Sequence, residues 1–146
     1  MQLYLDDLFP GQRHTSPPVL LDSEAIKAFA GQFDPQPFHL DEAAAEGSFF
    51  GSLAASGWHT AALTMRMLVQ SLPIAGGLIG AGVELSWPKP VRPGDTLHAE
   101  SEVLEVAPSR SKPDRGVATV RTETRNQHGE TVQVLTAKLL VFRRPA

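Results

Sequence analysis

Residues 58–72 spread Ala61, Leu63, Met65, Met67, Leu68 and Val69 around nearly the whole circumference of a helix, with Arg66 the only charge among them. A helix lying on a protein surface shows one apolar stripe, whereas one that is apolar on almost every side has to be enclosed. At about fourteen residues it falls short of the ~20 needed to cross a bilayer, so the enclosure has to come from the chain itself. Ser56 is placed to cap its start and Pro73 closes it. The next part of the chain supplies the cover. Residues 78–87, 96–106, 117–126 and Thr131–Phe142 are rich in Val, Thr and Leu. Between them stand Pro88-Lys89-Pro90, Pro93-Gly94-Asp95, Pro113-Asp114-Arg115-Gly116 and His128-Gly129, all turn chemistry. Four consecutive strands joined by hairpins form a twisted antiparallel sheet. In one of them Val120-Arg121-Thr122-Glu123-Thr124-Arg125 alternates with few large apolar residues, which predicts a wetted or ligand-facing side. The economical way to bury the helix is to wrap the curved sheet around it, an α+β architecture.

The first third of the chain is mixed. Val19, Leu20 and Leu21 suit a short strand, and Asp22 or Ser23 then caps a helix from 24 to about 32 with Ala25, Ile26, Phe29 and Ala30 at helical spacing. That helix is expected to end near Gly31, because Pro35 disfavours the helical conformation at Asp34 and Pro37 blocks a quick restart. Asp41 reads as the cap of a further short helix through Ala43, Ala44 and Ala45.

A length of 146 residues fits one domain, 1–146, and neither an internal repeat nor a low-complexity tract breaks it. The chain has no cysteine, which excludes disulfides, thiolate nucleophiles and Cys-based zinc sites. A net charge of −3 offers nothing to nucleic acid or an anionic membrane surface. The start, with Asp6 and Asp7 and no long apolar run, does not read as a signal peptide, so a cytoplasmic location is the default. The five histidines are scattered without a His-Glu-x-x-His spacing, and no metal site is expected. Gly76, Gly77, Gly80 and Gly82 follow a helix rather than a strand and lack the third glycine of a dinucleotide fingerprint; tight bends explain them better. No cofactor is expected.

Two stretches carry chemistry. Phe33-Asp34-Pro35-Gln36-Pro37-Phe38-His39-Leu40-Asp41 sets a carboxylate five positions ahead of an imidazole in a loop stiffened by two prolines. Addition of water to an activated double bond needs a base to take a proton from water and an acid to protonate the neighbouring carbon, each worth roughly 10²–10⁴ in rate. Taken alone, the pair is more simply a turn-capping aspartate and a half-buried loop histidine, since short Asp/His spacings arise by chance. The second stretch, Ala54-Ala55-Ser56-Gly57-Trp58-His59-Thr60, opens the apolar helix. Backbone N–H groups of a first turn lack internal partners, and Gly57 has no side chain to keep a ligand carbonyl away. Such donors suit a thioester carbonyl that becomes an enolate, and losing one costs about 10²–10³ in rate. The plainer alternative leaves Ser56 as a cap and Gly57 as relief of crowding.

The order Asp34-x-x-x-x-His39-x-Asp41, then Gly51, then Ser56-Gly57 before the apolar helix, then Pro90-Val91-Arg92-Pro93-Gly94-Asp95, resembles the MaoC-like family, which includes the (R)-specific enoyl-CoA hydratases. The resemblance runs over residues 21–142. It implies a hot-dog fold, a sheet of about five strands around the central helix, assembled as a homodimer or a higher assembly of dimers. It implies Asp34 and His39 as the catalytic pair, the Gly57 N–H as donor to the thioester carbonyl, and an acyl-CoA or acyl-carrier thioester as substrate. Ser56, Trp58 and His59 would line the substrate tunnel, although a packed core role suits His59 better and a core or wall role suits Trp58 and Trp87. Asp41 is more simply a helix cap. The chain departs from the family's usual pattern at two places: Ser56-Gly57 stands for His-Gly, and Gln36-Pro37-Phe38-His39 for Asn-Pro-x-His. Lys89, Arg92, Arg110, Lys112 and Arg115 are candidates to meet carrier phosphates, with solvated surface positions the simpler role. A thioesterase of the same fold and a non-catalytic acyl-thioester-binding module are the rival readings, and acyl length and pathway stay open.

Overall fold

The computed structural model describes residues 1–146. A 3₁₀ turn (Leu5–Asp7) is followed by β1 (Arg13–Thr15), β2 (Val19–Leu21), α1 (Ser23–Phe33), α2 (Pro37–Leu40), α3 (Glu42–Glu46), α4 (Gly57–Ser71), β3 (Ile79–Ser86), β4 (Asp95–Pro108), β5 (Arg115–Arg125) and β6 (Thr131–Phe142). The strands form one antiparallel sheet of six in the order β1-β4-β5-β6-β3, with β2 also pairing β4. Helix α4 packs on its inner side, and together they make the hot-dog arrangement, an α+β fold. No helix is long and apolar enough to cross a membrane.

Three expectations need correction. Hairpins join β4 to β5 and β5 to β6, but β3 does not pair with β4. It lies beyond β6, with Ile79 opposite Leu140 and Ser86 opposite Val134. Pro88, Pro90 and Pro93 make the connection an extended, donor-poor segment rather than a tight turn, so it crosses the sheet instead of folding back. Of the two alternatives at 120–125 the wetted side holds and the ligand-facing one does not: Val120, Thr122 and Thr124 are buried, and Arg121 points outward. The buried hydroxyls are bonded, Thr122 to Ser101 at 3.0 Å and Thr124 to Thr64 at 2.6 Å.

The third concerns α4. Leu63, Thr64, Met67 and Leu68 are buried, yet Trp58, Met65 and Val69 on the opposite stripe are 61%, 44% and 57% exposed. The sheet covers one side of the helix only. Two apolar clusters fill the interior. Leu63 and Met67 of α4 join Leu21, Ile26, Val91, Leu97 and Val132 in one; the other gathers Leu3, Leu5, Leu72, Val103, Val120 and Val141 beyond the C-terminal end of α4. Burial of such a side chain stabilises by roughly 1.5–3 kcal/mol, so these clusters hold the helix on the sheet.

The helical segment ahead of α4 is where the chain is made compact by caps. Asp22 accepts from Ala25 N–H at 2.8 Å and Asp41 from Ala44 N–H at 3.2 Å, as their spacing suggests. Helix α1 runs on to Phe33, and Asp34 leaves helical geometry with ψ 65°, as expected before Pro35. Pro37, expected to block a helix, instead occupies the first position of α2, where its missing N–H has no intrahelical role and its fixed φ is already helical.

Candidate active site

His39 sits at the end of α2 and is 4% exposed. Its Nδ1 lies 2.6 Å from the Ala54 carbonyl, which can only accept, so Nδ1 carries a proton and the Nε2 lone pair of the neutral ring is left free. Nε2 is 3.3 Å from Asp34 Oδ2. The structure therefore brings the two side chains together. Residue 54 can serve because the run into α4 is pinned on both sides: Ala54 N–H donates to the Phe38 carbonyl at 3.2 Å and Ala55 N–H to the Val91 carbonyl at 2.9 Å.

Asp34 receives a hydrogen bond on each oxygen. Gln36 Nε2 donates to Oδ1 at 2.5 Å and Ser56 Oγ to Oδ2 at 2.7 Å. Burial pushes the carboxyl upward, but the bonds from Ser56 and then Gln36 outweigh it and hold Asp34 below its ordinary 3.8. Both departures from the family's pattern thus converge on one carboxylate. Ser56 has a second task as N-cap of α4, accepting from Trp58 N–H at 3.2 Å.

Gly57 is the first residue of α4, so its N–H has no intrahelical acceptor. A Cβ at this position would stand 2.6–2.9 Å from three atoms of the Trp87 indole, which makes glycine a steric requirement there. Asp34, His39 and Gly57 share a cavity of about 510 Å³ with Gln36, Thr60 and Lys89. Its apolar lining includes Phe38, Phe49, Phe50, Trp58, Trp87 and Val91. An apolar hollow with a few convergent polar groups is the usual form of a small-molecule site. A larger hollow, about 720 Å³, lies between the chain termini around Tyr4, Phe142 and Arg144 and holds no acid–base pair.

Trp58 lines the cavity; His59 does not. His59 is stacked on Phe29 of α1 with centroids 4.6 Å apart, and burial, then the charge of Arg66, lowers its pKa below 6.5. Arg92 is not free for a phosphate: its guanidinium donates to the carbonyls of Phe50 at 2.7 Å and Ser52 at 2.8 Å. It thereby ties down the loop that carries Phe49 and Phe50. Lys89 pairs with Glu130 at the cavity wall, and Arg115 pairs with Asp114. Asp95 of the same motif accepts from Arg92 N–H at 2.9 Å and from Gln127 at 2.9 Å, so the Pro-Gly-Asp turn buttresses the site rather than entering it. Sequence reasoning missed Phe38, Phe49 and Phe50 as cavity walls, whose signal was their density around His39. It also missed the bond from Trp87 Nε1 to Gln133 Oε1, 2.9 Å, which no local pattern announces.

The MaoC-like domain family matches residues 9–126 of this chain. The solved structure of a MaoC-like dehydratase from Rhodospirillum rubrum superposes with a TM-score of 0.97 at 61% identity, covering 99% of both chains. The uncharacterized protein YdeM of Bacillus subtilis is 34% identical over 141 residues, 94% of this chain and 96% of its own. A 3-hydroxybutyryl-CoA dehydratase from Methylorubrum extorquens is 31% identical over 110 residues, 75% of this chain and 69% of its own. With most of its length inside that pattern, the chain belongs to the MaoC-like domain family.

Proposed function

We propose that this protein is a single-domain hydro-lyase that adds water reversibly to a trans-2-enoyl thioester of coenzyme A or an acyl carrier protein, giving the (R)-3-hydroxyacyl thioester. The observation that carries the reading is the 3.3 Å approach of His39 Nε2 to Asp34 Oδ2 beside the Gly57 N–H in one apolar cavity. With Nδ1 committed to Ala54 and Asp34 held ionised, the two facing atoms are both acceptors. One water can donate a hydrogen to each, which fixes its oxygen lone pair for attack. The oxygen forms a bond to the β-carbon while one proton passes to the Asp34/His39 pair. The π electrons move toward the carbonyl, whose developing oxyanion the Gly57 N–H and the α4 dipole stabilise. The pair then returns the proton to the α-carbon on the same face. Dehydration is the reverse.

The dehydratase relatives support the reaction class, and the family's (R)-specific hydratases support the stereochemistry. The assay is incubation with crotonyl-CoA, following enone absorbance and free thiol together. Loss of enone without thiol release is expected. Thiol released in step with the loss of enone absorbance would establish a thioesterase instead, and the absence of both signals would sink the proposal.

We also propose that a second copy covers the outer stripe of α4 and the edge strand β3, where Ile79 and Val83 are 41% and 60% exposed. A two-fold axis lets the same edge pair with itself and leaves no open strand.

A further inference from the structure

We infer that Trp87 sets the length of acyl group the cavity admits, and that the buried Gln133 is the residue that holds it in place. This rests on the thioester reading above. Trp87 follows β3 directly and is 40% exposed, yet its ring is the most constrained wall of the cavity. One face lies over Gly57, close enough that a methyl group there would overlap three indole atoms. It meets Trp58 in a T-shaped contact, centroids 5.3 Å apart. Its N–H points inward, to Gln133 Oε1 at 2.9 Å.

Gln133 is fully buried, on β6, and its own amide donates to Thr64 Oγ1 of α4 at 2.9 Å. Thr64 is bonded in turn to Thr124 of β5 at 2.6 Å. A polar chain therefore runs from three separate elements of the core out to one indole. Buried polar groups of this kind are costly unless bonded, and their bonds specify one arrangement rather than add net stability. An indole without this acceptor is free to turn over or swing toward solvent. The other aromatic walls have no such tether: Phe49 is 97% exposed, and the phenyl rings have no polar atom to hold. A fixed wall against the first turn of α4, where the thioester carbonyl is placed, stops an acyl chain; a movable one yields to it. Discrimination by a hydrophobic wall runs at about 10–200-fold per methylene accommodated or refused.

The test compares trans-2-butenoyl-CoA with trans-2-octenoyl-CoA as the ratio of their kcat/KM values. Trp87→Ala is expected to move this ratio at least tenfold toward the longer substrate. Gln133→Met, which keeps shape and loses the acceptor, is expected to move it in the same direction by less, mainly through KM. Both tryptophans of the chain line the cavity. In a Trp58→Phe background, Trp87 is thus the only tryptophan, and Gln133→Met is expected to shift its emission on excitation selective for indole, a change that a purely structural Gln133 would not produce. Should Gln133→Met fail to fold, Trp87→Phe removes the same bond at a half-exposed position. An unchanged length ratio in Trp87→Ala overturns the proposal. Fluorescence titration with butyryl- and octanoyl-CoA separates the two levels. If these saturated esters bind but the enoyl esters are not hydrated, the reaction assigned above is wrong while the length rule is still read from the binding ratio; if neither saturated ester binds, both fall.

Discussion

Replacing Asp34 by Asn separates chemistry from architecture at this site. The substitution preserves shape but leaves one acceptor oxygen where the carboxylate had two. Ser56 Oγ is fully buried and must keep its acceptor, so the new amide oxygen takes the place of Oδ2. The amide nitrogen then faces Gln36, which is exposed and can turn its own amide to accept. No buried group is orphaned. The stability change is the difference between a charge-assisted and a neutral hydrogen bond, about 1 kcal/mol. Catalysis loses far more, because a neutral amide neither takes a proton from water nor returns one to the α-carbon. At roughly 10²–10⁴ for a positioned acid or base, kcat is expected to fall about 10³-fold with KM little changed. Crotonyl-CoA hydration measures the fall in kcat and denaturant unfolding the stability change. A variant that retains kcat within tenfold of wild type would refute the role given to this carboxylate.

Ser56→Ala removes both the α4 cap and the donor to Asp34 and is expected to cost about 1–2 kcal/mol at neutral pH. The sign of its pH dependence follows from Asp34. A carboxyl depressed in the folded state contributes stability fully above its unfolded value of about 3.9, and loses it as pH falls through the folded one. The gap between wild type and variant is therefore expected to narrow below about pH 4, and denaturant midpoints that keep the full gap near pH 2.5 would break the link to this carboxylate. For the assembly, Val69 and Val83 are 57% and 60% exposed in the single chain, so Val69→Lys and Val83→Lys change a monomer's stability by no more than about 0.5 kcal/mol. Sedimentation is expected to show a dimer for wild type and a monomer for the double variant; identical masses would dispose of the two-fold contact.

What the sequence disclosed about this molecule divides along a physical line. Elements governed by local periodicity and capping were legible: α4 between Ser56 and Pro73, the Asp22 and Asp41 caps, the long runs that became β3 to β6. The pair Asp34/His39 was legible because five residues and two prolines confine it to one short stretch. Partnerships that depend on distant chain were not. Nothing local to Ile79–Ser86 says that its neighbour is β6 rather than β4, since its side-chain pattern suits either edge and the choice is made by an extended proline segment. Pro37 was misjudged because a proline that ends one helix and one that begins another look alike until the first N–H of the new helix is located. The outer stripe of α4 misled for the opposite reason. Apolarity predicts that a surface will be covered and is silent on whether the cover is the same chain or another. Gln133 shows where composition reasoning stops altogether. A glutamine between Val132 and Val134 looks like a strand residue facing water, yet it points into the core and is bonded on both its oxygen and its nitrogen. Its tolerance inside depends on Trp87, Thr64 and Thr124 arriving from three other elements, so the cavity's most constrained wall is determined by residues that no motif contains.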